Sequence, residues 1–291
     1  MVLWQLEDYL TTFFSIIKAK IKNYKIGDNL DRKKINYSSN ARQYLLWYNS
    51  QSKISRNNIV FFIHGGGWNK GNPEFFKFVA DYFTKLGFIT VIPAYRLTDE
   101  HQFPSQAIDV FKALKKTLEI IEASAVKKNI IVAGQSAGAH LGALLLLNQK
   151  LQEKFEIDEN IFNGFLSISG PLDLSRPCRT IRAEKYLYDF VPTPQKRKKA
   201  NPSNYIKSEF KTPIFCLHGA KDPLVPKEHS IEFIKEIKSK TEAETKLKIC
   251  KNKHHSDLTD LFFEKGPANS AVKEWMLKVD ALKLIKIWNS S

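Results

Sequence analysis

The segment Gly134-Gln135-Ser136-Ala137-Gly138 follows a short apolar run, Asn129 to Ala133, and opens a stretch rich in alanine and leucine. Two flanking glycines let a backbone reverse sharply at a strained serine, because no Cβ collides where the chain doubles back. The Ser136 hydroxyl is then held out at the end of a strand, where a nucleophile would stand. Such a serine needs a base to take its proton and a carboxylate to orient that base. The carboxylate candidate is Asp222, in the turn His218-Gly219-Ala220-Lys221-Asp222-Pro223, and the base is one of the neighbours His254 and His255 in Lys253-His254-His255-Ser256-Asp257-Leu258. Asp173 and Asp257 are further acidic candidates; Asp173 follows a different strand in a segment that reads as structural, and Asp109 reads as capping or packing its helix. The chemistry of such a set is acyl transfer. Ser136 attacks a carbonyl carbon, and main-chain donors stabilise the oxyanion, each worth about 3 kcal/mol. His64-Gly65-Gly66-Gly67-Trp68 offers such donors, since a substrate oxygen can approach glycine backbone closely. The candidate oxyanion hole is the N–H groups of Gly66, Gly67 and Ala137, the last at the positive end of its helix. Gly65 reads as serving the turn. Trp68 either lines the substrate pocket or packs beneath the loop, and Gln135 is a second pocket candidate.

These loops need strands ahead of them. Hydrophobic periodicity predicts an edge strand at 42–48, a buried strand at 59–63, a helix around 73–86, a strand at 88–92 and a helix at 105–123. A strand at 129–133, a helix at 137–148 and a strand at 162–169 follow; then come a looser, proline-containing section at 171–211, a strand at 213–217, a helix at 227–238, a strand at 246–250 and a helix near 268–287. Alternation of this kind predicts an α/β fold, a mostly parallel central sheet with helices on both faces, since parallel strands require crossovers. Ligands then bind beyond the carboxyl ends of the strands, where all four loops fall. Leu3, Leu6, Leu10, Phe13 and Ile17 recur at helical spacing, so residues 3–24 read as one amphipathic helix ending in lysines. It would act as a lid, a cover for the core or a membrane-surface anchor aided by Lys18, Lys20 and Lys22. The expected organisation is residues 1–35 as this helix and a lead-in, and residues 36–291 as one catalytic domain with a cap-like insertion at about 171–211.

The chain order Ser, Asp, His is that of α/β-hydrolases. Together with HGGGW at 64–68, AYRL at 94–97, His101-Gln102-Phe103-Pro104, GQSAGAHL at 134–141, SGPLDL at 169–174, HGAKDPLVP at 218–226 and HHSDL at 254–258, it makes the sequence resemble an α/β-hydrolase esterase of the HGGG branch. Within that branch, related to hormone-sensitive lipase, it is most similar to kynurenine formamidases and prenylcysteine methylesterases. The matching motifs span residues 59–262. The first 35 residues and the 171–211 section have no clear counterpart. The resemblance implies a serine esterase acting through an acyl-enzyme on a small-molecule ester or amide, with no cofactor and no metal. It also implies that His255 is the base, because family members place a small or aromatic residue, then Asp or Ser and Leu, after the catalytic histidine. His64, His140 and His218 match positions that orient loops. Carboxylic esters of small or medium acyl groups are the first expectation; an aryl formamide resembling N-formylkynurenine, or a prenylcysteine methyl ester, is the alternative. Some proteins of this branch are non-catalytic ligand binders, usually without the histidine, whereas two histidines stand here.

Composition bounds the remaining classes. The chain has 291 residues, 43% of them hydrophobic, enough for a sizeable core. Its longest apolar runs, such as Ala143 to Leu147, fall far short of the roughly 18 residues that span a bilayer. The net charge of +15 comes from scattered lysines. Even the dense run at 196–199 lacks interleaved aromatics, so no nucleic-acid partner is expected. Cys178, Cys216 and Cys250 cannot all pair and form no C-x-x-C unit, which points to a reducing compartment. Glu7 and Asp8 stand where a secretion signal would be basic. The expected location is cytoplasmic, or peripheral to a membrane through residues 1–24; the oligomeric state is left open.

Overall fold

Ile130 and Val132 are buried in one apolar cluster while Ile131 and Ala133, the residues between and after them, are buried in another. A strand covered on both sides in this way belongs in the middle of a sheet sandwiched by helices. The computed structural model describes residues 2–27, 30–53, 56, 58–124 and 129–288, and side chains only for residues 10–281 of that set. The strands are β1 (Arg32–Asn36), β2 (Tyr44–Tyr48), β3 (Asn58–Ile63), β4 (Ile89–Pro93), β5 (Asn129–Gln135), β6 (Phe162–Ile168), β7 (Ile214–Gly219) and β8 (Thr245–Cys250). They form one sheet in the order β1-β2-β4-β3-β5-β6-β7-β8. β2 runs antiparallel to β1 and β4, and the remaining neighbours are parallel.

The helices are α1 (Val2–Ile26), α2 (Lys77–Lys85), α3 (Ser105–Ala123), α4 (Ala137–Leu147), α5 (Gln149–Lys154), α6 (Ile181–Phe190), α7 (Pro194–Ala200), α8 (Glu228–Lys240) and α9 (Pro267–Trp288). Phe111 and Leu114 of α3, Leu141 and Leu145 of α4 and Phe233 of α8 pack on one sheet face. Phe78 and Phe83 of α2 and Trp275 and Met276 of α9 pack on the other. Every residue of α4 is buried, so this helix lies inside the molecule rather than on its surface. The expected α/β architecture is therefore present, and the carboxyl ends of β3, β5, β7 and β8 lead into the four loops of chemical interest.

One expectation is corrected and three others gain detail. The strand at 42–48 is not an edge: β2 is buried along its length and flanked by β1, which the pattern reading missed. Arg-Lys-Lys-Ile-Asn has no apolar alternation, yet charge on an outermost strand suits it, since lysines discourage pairing with another chain. β1 also crosses the boundary drawn at residue 35, so the lead-in contributes to the sheet. The section at 171–211 contains α6 and α7, whose starts are capped by Thr180 and Thr193. Finally, α1 buries Ser15, Ala19 and Ile26, whereas Leu10 and Phe13 of the apolar stripe point outward. The side chains of Leu3 and Leu6 lie outside the described residues.

Candidate active site

Ser136 sits between the end of β5 and the start of α4 with φ 55° and ψ −123°. A non-glycine residue there is strained by on the order of 1–3 kcal/mol and persists only where its surroundings hold it. Its N–H donates to Ile168 O at the end of β6 (2.8 Å), and its own carbonyl accepts from His140 N (3.1 Å). The flanking glycines make this turn fit: a Cβ on Gly138 would collide with Ile63 O, and one on Gly134 would lie 2.6 Å from Gly138 O.

Asp222 stands in the turn after β7. One carboxylate oxygen, Oδ1, accepts from the N–H groups of Leu224 (3.0 Å) and Val225 (2.9 Å). The other, Oδ2, is 2.7 Å from His255 Nδ1 and 3.4 Å from His218 Nε2. His218 Nε2 also lies 2.7 Å from Val225 O, which can only accept, so Nε2 carries the hydrogen and Nδ1 accepts from the Ser230 hydroxyl (2.7 Å). Burial pushes the Asp222 carboxyl upward, but the facing His255 and the His218 hydrogen bond outweigh it and hold the pKa well below the usual carboxylate range. An ionised acceptor at Oδ2 places the hydrogen of His255 on Nδ1. The Nε2 lone pair then faces Ser136 Oγ at 2.8 Å. His254 is directed elsewhere: its N–H donates to Asp257 Oδ2 (2.8 Å), and its Nδ1 lies 3.1 Å from the same oxygen. Of the two histidines, His255 is therefore the one in line with Ser136. Asp173 instead accepts from Ser175 and Asn201.

Gly66 and Gly67 have φ of 126° and 60°, and no acceptor among the described residues takes the N–H of Gly66, Gly67 or Ala137. The loop is braced by the AYRL segment. The Tyr95 hydroxyl donates to His64 O (2.9 Å), and its ring stacks on the His64 imidazole with centroids 4.4 Å apart. Asp109 does not cap α3. It lies fully buried and takes a two-point contact from Arg96 (2.8 and 2.9 Å) and a third bond from Gln43 Nε2 (2.7 Å), tying residues 94–97 to α3. Trp68 is buried and stacked on Phe190 at 4.3 Å, and it also lines a cavity beside Ser136.

Two cavities meet at Ser136. One, about 50 Å³, is lined by Trp68, Leu174, Leu187, Leu224 and Val225, with Arg176 and His229 at its margin. The other, about 290 Å³, contains His255 and Gln135 and is walled by Ile16 and Ala19 of α1, Lys70 and Tyr186. Tyr186 and Leu187, from α6, and the α1 residues were not singled out in the sequence, because nothing in their local pattern distinguishes a cavity wall from core. No group of three or more His, Cys, Asp or Glu residues among those described is placed to hold a metal ion.

Burial lowers the pKa of His64, His140 and His229 to about 4. The bonds of His140 suit a neutral ring: Nδ1 accepts from Trp68 Nε1 (3.3 Å) and Nε2 donates to Ala200 O (2.8 Å). Unfolded imidazoles take up protons near pH 6.5 whereas these do so only near 4, so their contribution to stability is complete above 6.5 and is lost as pH falls toward 4. The loss is about 1.4 kcal/mol per histidine per pH unit, roughly 4 for the three together. The urea midpoint should accordingly drop steeply between pH 6.5 and 4.5. A flat midpoint over that range would contradict neutral burial of these rings.

The BD-FAE family profile matches residues 46–237, about two thirds of the chain, from β2 to α8. The chain belongs to the BD-FAE family. BD-FAE is an α/β-hydrolase esterase family, and its match here includes Ser136, Asp222 and the glycine loop but ends before His255. Curated relatives of this BD-FAE chain include esterase LipQ of Mycobacterium tuberculosis, 28% identical over 68% of the chain and 50% of LipQ. The probable carboxylic ester hydrolase LipM of the same organism is 28% identical over 62% of the chain and 44% of LipM. The chain spans about half the length of these relatives. Among solved structures, esterase B from Lactobacillus rhamnosis superposes with a TM-score of 0.78 at 18% identity, covering 99% of this chain and 98% of its own, a likeness of fold.

Proposed function

We propose that the chain is a serine hydrolase that cleaves carboxylic esters through an acyl-enzyme. The observation that carries this reading is the hydrogen-bond line from Ser136 Oγ through His255 to Asp222, with distances of 2.8 and 2.7 Å. His255 Nε2 takes the Ser136 proton as Oγ attacks the carbonyl carbon; Asp222 stabilises the imidazolium that forms. The oxyanion receives the N–H groups of Gly66, Gly67 and Ala137. His255 then gives its proton to the departing alcohol or amine, and water repeats the sequence on the acyl-enzyme.

That proton transfer assigns the cavities. A leaving group must lie within reach of His255, so it occupies the 290 Å³ cavity, and the acyl group occupies the 50 Å³ one. The favoured substrate has a short acyl group and a bulky leaving group. Formyl is the smallest acyl group, so an aryl formamide of the N-formylkynurenine type fits this size order and remains the second reading. A prenylcysteine methyl ester reverses the order, with a large acyl part and a methyl leaving group, and fits poorly. A purely ligand-binding role would have no use for the intact proton line.

Two measurements test the proposal. A fluorophosphonate probe should leave a mass adduct mapping to Ser136, and an unlabelled folded protein would overturn the hydrolase reading. Across p-nitrophenyl esters, kcat/KM should fall at least tenfold from butyrate to octanoate, whereas a rise with chain length would overturn the acyl assignment. N-formylkynurenine assayed beside p-nitrophenyl acetate decides between formamide and ester.

A further inference from the structure

The two faces of α1 differ in character. The inner face is bonded to the segment that carries His255. Thr12 Oγ1 and Ser256 Oγ are 3.2 Å apart, and Lys18 Nζ donates to Asp260 Oδ2 (3.1 Å) and Glu264 Oε1 (3.0 Å). The outer face carries Leu10, Phe13, Phe14, Ile21 and Tyr24, which are 50, 58, 58, 50 and 88% exposed. Their three- and four-residue spacing aligns them in one stripe, which the half-buried Ile17 continues. A soluble monomer seldom leaves so many large apolar side chains together in water.

Charge indicates what covers the stripe. From Leu10 to Gly27 there is no acidic residue. Lys18 and Lys22 are held by carboxylates of the protein body, while Lys20 and Lys25 make no ion pair among the described residues. A second copy of α1 packed on the stripe would bring lysine against lysine, with no carboxylate to answer it. An anionic bilayer answers both the stripe and the lysines, as for helices that lie in the headgroup region. The same side of the molecule holds the mouth of the larger cavity. Ile16 and Ala19 line it with Lys70 and Arg182, and among the described residues no Asp or Glu does.

We propose that α1 docks on an anionic lipid surface and turns the mouth of the leaving-group cavity toward the bilayer. The substrate is then a short-acyl ester or formamide of a bilayer-borne alcohol or amine, whose lipophilic part enters the larger cavity. This rests on the hydrolase reading above, and the test separates the two.

The full chain is sedimented with phosphatidylglycerol/phosphatidylcholine vesicles and with phosphatidylcholine alone, and p-nitrophenyl acetate turnover is measured without lipid. Binding should be at least tenfold tighter to the anionic vesicles. The double variant Phe14→Glu/Ile21→Glu, at positions that line neither cavity, should lose at least tenfold in binding and keep turnover within twofold. Lys20→Glu/Lys25→Glu should weaken binding and flatten its salt dependence. Equal sedimentation of wild type and the Phe14/Ile21 variant overturns the proposal, and so does a concentration-dependent dimer that this variant abolishes. Intact turnover with no vesicle binding is a failure of the docking proposal alone. Vesicle binding with no turnover of any ester or of N-formylkynurenine is a failure of the hydrolase reading.

Discussion

Replacing Ser136 by alanine should lower kcat/KM for p-nitrophenyl acetate by roughly 10⁵- to 10⁶-fold while leaving the protein folded. Alanine removes the attacking oxygen and nothing else that the turn depends on. The N–H bond to Ile168 O and the carbonyl bond from His140 N are main-chain contacts that survive the change. The residual rate is that of an oxyanion hole and a bound ester without a nucleophile. Steady-state kinetics together with the thermal midpoint check this; a loss of less than a hundredfold in a folded variant would remove Ser136 from the reaction.

The second large effect is expected at Asp222, where the surrounding bonds dictate how an asparagine side chain would sit. Oδ1 accepts two main-chain N–H groups, from Leu224 and Val225, so in Asp222→Asn the amide carbonyl oxygen would take that place. The amide nitrogen would then face His255 Nδ1 and His218 Nε2–H. A donor at Nδ1 forces the hydrogen of His255 onto Nε2, which can no longer accept from Ser136. Asp222→Asn should therefore reduce kcat by about 10⁴-fold with KM little changed. His254→Ala, whose parent ring is turned to Asp257, should stay within a few-fold of wild type. If the two variants exchange these effects, His254 is the base. Because the Asp222 pKa lies well below the usual carboxylate range, the carboxylate stays ionised across neutral and mildly acidic pH. Its stabilising contribution is complete above about pH 4 and fades only in stronger acid.

Residue types and spacing made the loops of the candidate site legible because each requires short-range features: glycines where the backbone crowds itself, and a polar residue just past an apolar strand. The crossover fold was legible for the same reason, since β3, β5 and β7 hold near-continuous apolar runs. β1 escaped because Arg32, Lys33 and Lys34 are charged, and only the pairing with β2 makes that segment a strand. α1 was legible as a helix but not in its orientation. The apolar stripe left lid, core cover and membrane anchor open, and only the structure shows that the polar residues Thr12, Ser15 and Lys18 face the protein, because Ser256, Asp257 and Asp260 await them. Likewise, that Tyr95 holds the glycine loop and that Asp109 anchors Arg96 are facts of three-dimensional neighbourhood, carried by residues 31 and 13 positions apart. The cavity walls contributed by α1 and α6 belong to the same category.

The hydrogen-bonded line through the site joins residues separated by 119 and by 33 positions along the chain. A fragment ending at α4 would carry the serine turn without its base, and one beginning at β7 would carry the acid and base without the serine. Each connection closes a long loop whose entropy must be met before the contact returns anything. Turnover thus depends on the joint assembly of β5, β7 and β8, and its recovery should be a late event of refolding, checked by comparing it with the recovery of far-ultraviolet circular dichroism.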